Sequence, residues 1–206
     1  MGVGILSIFI LSVPGELIPH CLSPAMCTST SKSSLSMTVG QEPIRIFLVD
    51  DDEEDCAFFR EAVNSSPISV ILKTMCNGED LLTELALTDN NVPDVIFLDI
   101  HMPGKNGYEV LDELRNSVLY KKVTVIMLSS STYDKDVEDA YARGANLYIP
   151  KAVFHLAQKS ILENLFSAHW RRYLSKIPRE EFVLSAKRLS RYKSESDIES
   201  QALYHG

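Results

Sequence analysis

From Ile44 onward the sequence predicts an α/β fold, a parallel sheet held between two layers of helices. Three features predict it. Short, β-branched apolar runs alternate with amphipathic stretches, the signature of repeated strand-helix units. Five such units follow one another, with no further internal repeat. Four of the runs also lead directly into residues able to do chemistry: Asp50 with Asp51, then Asp99, Ser129 and Lys151. With right-handed crossovers, a sheet of this kind binds its ligands at the carboxyl ends of its strands, so these residues are expected to converge on one edge.

The elements follow in order. Strands are expected at 44–49, 69–75, 94–98, 124–128 and 146–149, each short and rich in residues that suit a pleated, buried surface. The first helix, 54–63, is expected to set Ala57, Phe58 and Ala62 on one face. A second, 80–87, begins after Gly78, and a third, 108–115, repeats Val110, Leu111 and Leu114 at helical spacing. The fourth, 134–142, is stopped by Gly144, and the fifth, 155–170, is the longest.

Length and composition fit one globular domain with extensions: 206 residues, 45% hydrophobic and 23% charged. A net charge of −8 argues against broad nucleic-acid binding, but the charge is unevenly spread. Residues 44–169 hold eleven Lys/Arg against twenty-one Asp/Glu, whereas 170–193 hold eight against Glu180 and Glu181. The segment 170–206 is therefore a basic tail. Cys21, Cys27, Cys56 and Cys76 show neither Cys-x-x-Cys spacing nor paired histidines, which leaves no zinc site or disulfide framework and makes a reducing cytoplasm the default compartment. Residues 1–43 read as a disordered leader. Gly4 to Val13 is apolar but too short to span a bilayer, and the Pro- and Ser/Thr-rich stretch after it lacks the apolar content to order itself. Met37, seven residues before the first strand, is the expected true start.

Buried strands that finish in acids place like charges at one sheet edge, where a cation or a proton must offset them. The most economical reason is a divalent-metal site in which one carboxylate also attacks phosphorus, since oxygen-only ligand sets suit Mg²⁺. Two acids for the metal, a third to attack, a hydroxyl and an ammonium for the phosphoryl oxygens form a complete set for phosphoryl transfer. Taken singly, each residue has an ordinary explanation. Asp52, Glu53, Glu54 and Asp55 suit a helix N-terminus, Met102-Pro103-Gly104 suits a turn, Lys151 a surface, Ser129 a strand end and Tyr148 a half-buried edge. Their conjunction at successive strand ends selects the chemical reading.

Over about 44–169 the chain resembles the receiver domain of two-component response regulators. Val49-Asp50-Asp51-Asp52 resembles the family's acidic doublet, and Leu98-Asp99-Ile100-His101-Met102-Pro103-Gly104-Lys105-Asn106-Gly107 resembles its phosphorylation loop. Leu128-Ser129-Ser130 and Tyr148-Ile149-Pro150-Lys151 resemble its hydroxyl and lysine motifs. The resemblance implies a flavodoxin-like (βα)5 three-layer sandwich with strand order 2-1-3-4-5, an order that spacing alone does not give. It implies Asp99 as phosphoacceptor, with Ser129 and Lys151 on the phosphoryl oxygens. It implies Mg²⁺ held by Asp50, Asp51, Asp99 and the backbone carbonyl of His101. Ser129 and Tyr148 become a switch pair, the hydroxyl moving toward the phosphate while the aromatic ring turns inward and reshapes the surface of the fourth helix, fifth strand and fifth helix. The implied donor is a phosphohistidine on a sensor histidine kinase or a histidine phosphotransfer protein.

Two positions depart from the family pattern. Ala152 stands where proline usually follows the lysine in a cis peptide, and a cis bond ahead of alanine costs about 2.5–4 kcal/mol against roughly 0.5–1 ahead of proline. Pro150 deletes a ladder donor within the fifth strand, which an edge position tolerates. His101 and Ser131 flank the phosphoryl position and are expected to tune hydrolysis of the phosphorylated aspartate.

The resulting expectation is a stand-alone receiver in a phosphorelay, with self-phosphorylation and self-dephosphorylation as its only chemistry and protein contact with a downstream target as its output. In the tail, 178–192 is expected to form a helix with Pro178 in its first turn and Phe182, Ala186 and Leu189 on one face. That helix is expected to pack on the receiver or to serve as an arm for a partner protein, an anionic surface or a second subunit in a homodimer. The alternative is a DNA-binding regulator acting through the basic tail. A hydrolase of the haloacid dehalogenase type needs a second acid two residues past the nucleophile, where His101 stands.

Overall fold

The computed structural model describes residues 42–87, 92–167, 169–175 and 177–185; the leader up to 41, including Met37, and the tail from 186 lie outside the described residues. The chain runs β1 (Ile44–Val49), α1 (Glu53–Ser65), β2 (Val70–Met75), α2 (Gly78–Leu87), β3 (Val95–Asp99), α3 (Gly107–Asn116), β4 (Thr124–Ser129), α4 (Asp134–Ala142), β5 (Leu147–Pro150), α5 (Lys151–Leu165) and α6 (Trp170–Leu174). All strand pairs are parallel, in the order β2-β1-β3-β4-β5. Among the described residues no helix is long and apolar enough to cross a membrane.

Strand alternation builds two cores. Ile46, Leu48, Val95, Phe97, Ile126, Leu128, Leu147 and Ile149 face α1 and α5. Their alternates Phe47, Val49, Ile96, Leu98, Val125, Met127 and Tyr148 face α2, α3 and α4. The register then fixes the chemistry of the edge. Val49 lies across from Leu98, Asp99 from Leu128 and Ser129 from Pro150, so the residues that leave β1, β3, β4 and β5 meet at one rim.

Caps set the helix phases around that rim. Asp52 accepts hydrogen bonds from the Glu54 and Asp55 amides, which starts α1 one residue earlier than expected. The buried face of α1 is Cys56, Phe59, Ala62 and Val63, whereas Ala57 and Phe58, expected inside, are exposed. Phe59 packs edge-on to Phe97 and stacks on Phe154, with centroids 4.8 and 5.2 Å apart. Asn106 and Glu109 form a capping box on α3. Gly144, at φ 86°, takes the left-handed turn that ends α4.

The C-terminal elements differ from expectation. The helix expected at 155–170 begins at Lys151, ends at Leu165 and contains a non-helical residue, Ala157. His169 then adopts φ 70°, which breaks the path before α6. The described part of the expected helix at 178–192 is a single 3-10 turn, Arg179–Glu181, followed by a parallel bridge from Val183 to Tyr148. The Tyr148 amide donates to the Phe182 carbonyl (2.9 Å) and the Leu184 amide donates to the Tyr148 carbonyl (2.8 Å). The physical reason is the edge of β5, whose backbone groups need partners. In this path Phe182 enters one core and Leu184 the other, which a helical seam cannot do.

Candidate functional site

The acids at the rim are brought together as the sequence predicts. Asp50, Asp51 and Asp99 each offer a carboxylate oxygen within 4.8 Å of the others, with Asp50 and Asp99 buried and Asp51 exposed. Asp50 and Asp51 directly follow β1, and Asp99 is the last residue of β3. Asp99 Oδ1 is held by the amides of Ile100 (2.7 Å) and His101 (3.4 Å), which leaves Oδ2 aimed at Lys151 Nζ, 3.1 Å away. Asp50 Oδ1 accepts from the Asp52 amide at 3.1 Å, and its Oδ2 lies 2.8 Å from the same ammonium. An oxygen-only cluster with one solvent-facing member is the donor set a hard divalent cation requires, so the residues fit such an ion.

Lys151 is the buried first residue of α5, and its ammonium meets three carboxylates. The third is Asp55, with Oδ2 at 2.7 Å, while Asp55 Oδ1 lies 3.0 Å from His155 Nε2. Burial pushes the Asp50 carboxyl up to about 6, against the opposing pull of Lys151. Burial alone would lower the Lys151 ammonium, but hydrogen bonds to Asp50 and Asp55 and the charges of Asp99 and Asp50 outweigh it and raise it above the ordinary lysine range.

The hydroxyl side of the rim is a chain of contacts. Ser129 is buried, and its Oγ accepts from the Ser131 amide at 3.1 Å. Tyr148 is fully buried, and its hydroxyl donates to the Ser131 carbonyl at 2.8 Å. Burial raises the Tyr148 phenol above its ordinary value, so it stays a donor. The Ser131 hydroxyl is hydrogen-bonded to the Asp136 carboxylate in the first turn of α4, and the Tyr133 amide donates to it at 3.3 Å. Gly107 shapes the loop after Asp99. Its amide donates to the Ile100 carbonyl at 3.0 Å, and a Cβ there would lie 2.1 Å from the Asp99 carbonyl oxygen.

Asp50, Asp51, Asp99, Ser129 and Lys151 lie at the rim, Tyr148 sits behind Ser131, and His101 contributes its backbone amide to Asp99 rather than the carbonyl the resemblance implies. The reading of the sequence missed Asp55 and His155, because Asp55 was expected only to favour the helix dipole of α1. A signal for Asp55 existed: it lies four and seven residues before Phe59 and Ala62, on the stripe of α1 that faces the sheet. His155 follows as the residue one turn along α5 from Lys151.

A doubly wound parallel sheet with a buried aspartate at its carboxyl rim, next to two more acids, a hydroxyl and an ammonium, defines a phosphoacceptor class of signalling domain. The family model for the response regulator receiver domain matches residues 46–165, and the chain belongs to that family. It is similar to the nitrate/nitrite response regulator protein NarL of Escherichia coli K12, 35% identical over 111 residues, which are 54% of this chain and 49% of NarL. The chain thus spans about half the length of that relative. It is 30% identical over 114 residues to the response regulator Rcp1 of Synechocystis, covering 53% of this chain and 78% of Rcp1. Among solved structures, the phosphorylated cyanobacterial phytochrome response regulator RcpA superposes with a TM-score of 0.56 at 28% identity, covering 61% of this chain and 96% of that one. The Mn²⁺-bound form of Rcp1 superposes with a TM-score of 0.57 at 25% identity, with the same coverage.

Proposed function

We propose that Asp99 accepts a phosphoryl group from a phosphohistidine on a sensor histidine kinase or a histidine phosphotransfer protein, and that the receiver, residues 44–169, passes the signal on by protein contact. The observation that carries this reading is the division of labour at Asp99: one oxygen is held by two backbone amides, and the other faces a buried ammonium 3.1 Å away, beside Asp50 and Asp51. Asp99 Oδ2 attacks phosphorus, the P–N bond to the donor imidazole breaks with its electron pair returning to nitrogen, and an aspartyl phosphate forms. Asp50, Asp51, Asp99 and the His101 carbonyl would hold Mg²⁺, whose charge offsets the repulsion between carboxylate and phosphoryl oxygens. Lys151 neutralises one phosphoryl oxygen, and Ser129 donates its hydroxyl to another. Tyr148 reads the result through the Ser131 carbonyl. The phosphorylated RcpA structure and the Mn²⁺-bound Rcp1 structure support both halves of this reading by similarity.

The tail, 170–206, supports output by protein contact over DNA binding, because two of its described cations are already used within the chain. Arg171 pairs with Asp94 at 2.7 Å and lies over Trp170, and Arg179 pairs with Glu138. Binding to DNA through the tail would weaken steeply with salt, whereas protein docking on an apolar face would not.

The test is intact mass after incubation with acetyl phosphate, with and without Mg²⁺, on the wild type and on Asp99→Asn. The expected result is a single phosphoryl adduct that needs both the metal and Asp99. An adduct that survives in Asp99→Asn would place the acceptor elsewhere.

A further inference from the structure

We infer that residues 177–185 are a built-in segment that clamps Tyr148 in its inward position, so that docking of the tail on β5 and phosphorylation of Asp99 favour each other. The inference rests on the proposed role of Asp99, while the docking itself stands on separate observations.

The docked segment is anchored on two elements at once. Its backbone brackets Tyr148 on β5, through the Phe182 carbonyl on one side and the Leu184 amide on the other. Its side chains hold α4. Arg179 pairs with Glu138 and lies over the rings of Tyr141 (5.1 Å) and Phe182 (5.9 Å), and Phe182 packs edge-on to Tyr141 with centroids 5.0 Å apart. Phe182 is 1% exposed and Tyr148 0%. A tyrosine ring swung out to solvent would therefore have to displace this segment. The docked tail and an outward Tyr148 exclude one another.

From Tyr148 the path to the acceptor is short. The tyrosine hydroxyl holds the Ser131 carbonyl, the Ser131 amide holds Ser129 Oγ, and Ser129 follows Leu128, the β4 partner of Asp99. Clamping Tyr148 thus fixes the β4-α4 loop that carries the hydroxyl meant for the phosphoryl group. Ser131 also ties this loop to Asp136 of α4, the helix that the tail grips from outside. A tail that stabilises this arrangement must bind more tightly when the phosphoryl group stabilises it too, because coupling between two sites is reciprocal. The clamp is releasable. It pairs with the sheet at a single residue, and one of its ties is a surface ion pair.

The test uses the full chain and beryllofluoride with Mg²⁺ as the phosphoryl mimic. Amide exchange is read at Tyr148 and Leu184, and beryllofluoride affinity is measured for the wild type, Phe182→Ala and Arg179→Ala. The wild type is expected to protect both amides at any protein concentration, and more so with beryllofluoride. Phe182→Ala is expected to speed exchange at both amides and to weaken beryllofluoride binding by about fivefold or more. Arg179→Ala leaves the cores intact and is expected to move both readouts the same way by about twofold. An unprotected Leu184 amide, or protection that appears only at high protein concentration, overturns the built-in clamp. Fast exchange in both variants with unchanged beryllofluoride affinity overturns the coupling. If the wild type binds no beryllofluoride while Leu184 stays protected, the role of Asp99 fails together with the coupling, and the docked segment stands.

Discussion

Asp50 is the residue whose stability cost can be worked out most directly. It is 1% exposed, and its carboxyl is pushed from an ordinary 3.8 up to about 6 by burial. The folded chain thus holds the Asp50 proton more tightly than the unfolded chain does. Ionisation removes stability as pH rises from about 4 through 6, and above that the full cost is present. A displacement of about two pKa units corresponds to roughly 3 kcal/mol. Asp50→Asn keeps an oxygen to accept from the Asp52 amide, now 3.1 Å from Oδ1, and removes the buried charge. The lost attraction to Lys151 is already contained in that net displacement, and Asp55 and Asp99 still pair with the ammonium. In metal-free buffer at pH 8, Asp50→Asn is therefore expected to be more stable than the wild type by about 1–3 kcal/mol. The difference should shrink toward pH 4, and Mg²⁺ should close it by stabilising only the wild type. Urea unfolding at pH 4, 6 and 8, with EDTA and with Mg²⁺, measures all three. A variant less stable than the wild type at pH 8 without metal would refute the reasoning.

Three other substitutions test other parts of the frame. Lys151→Met leaves Asp50, Asp55 and Asp99 without their shared cation, so the metal-free protein should lose about 3–5 kcal/mol by urea unfolding, with partial recovery in Mg²⁺. Gly107→Ala drives a Cβ into the Asp99 carbonyl and should cost about 2–3 kcal/mol, with a lowered melting temperature and a displaced Asp99 loop visible in amide spectra. Arg115→Met removes the donor to the carbonyls of Gly144 (2.8 Å) and Val123 (3.0 Å) and to Asn146 Oδ1 (2.9 Å), and should cost about 2–3 kcal/mol while leaving acetyl phosphate uptake in the folded fraction unchanged.

The sheet and its rim were legible because both rest on local signals. Apolar runs such as Val95–Asp99 are buried along their whole length, and a run that buried leaves few alternatives to a central parallel strand. The acids, Ser129 and Lys151 could be placed because the end of each run gives their position without knowledge of any loop. The face of α1 was misjudged because Phe58 and Phe59 head two apolar stripes about 100° apart, and the packing of Phe59 against Phe97 and Phe154 decides which one turns inward. The tail was misjudged for a different reason. Pro178, Glu180 and Glu181 do begin a helical turn, but what decides the path of Phe182 and Leu184 is the open edge of β5, about 35 residues earlier in the chain. Asp55 and His155 were missed because they meet across two elements: Asp55 on α1 finds both Lys151 and His155 on α5.

The joint between β5 and α5 has no slack. The strand ends at Pro150 and the helix begins at Lys151, with no loop residue between them. The ammonium that faces Asp99 is thus carried on the first turn of a helix whose next turns pack Phe154, Ile161 and Leu162 into the core. A movement of that charge beyond what the lysine stem can absorb has to be taken up as a tilt of the helix or as bending at Ala157, where the helical path is already broken. The chemistry of a single oxygen is in this way coupled to a lever several turns long, with its fulcrum at a proline and its break seven residues away.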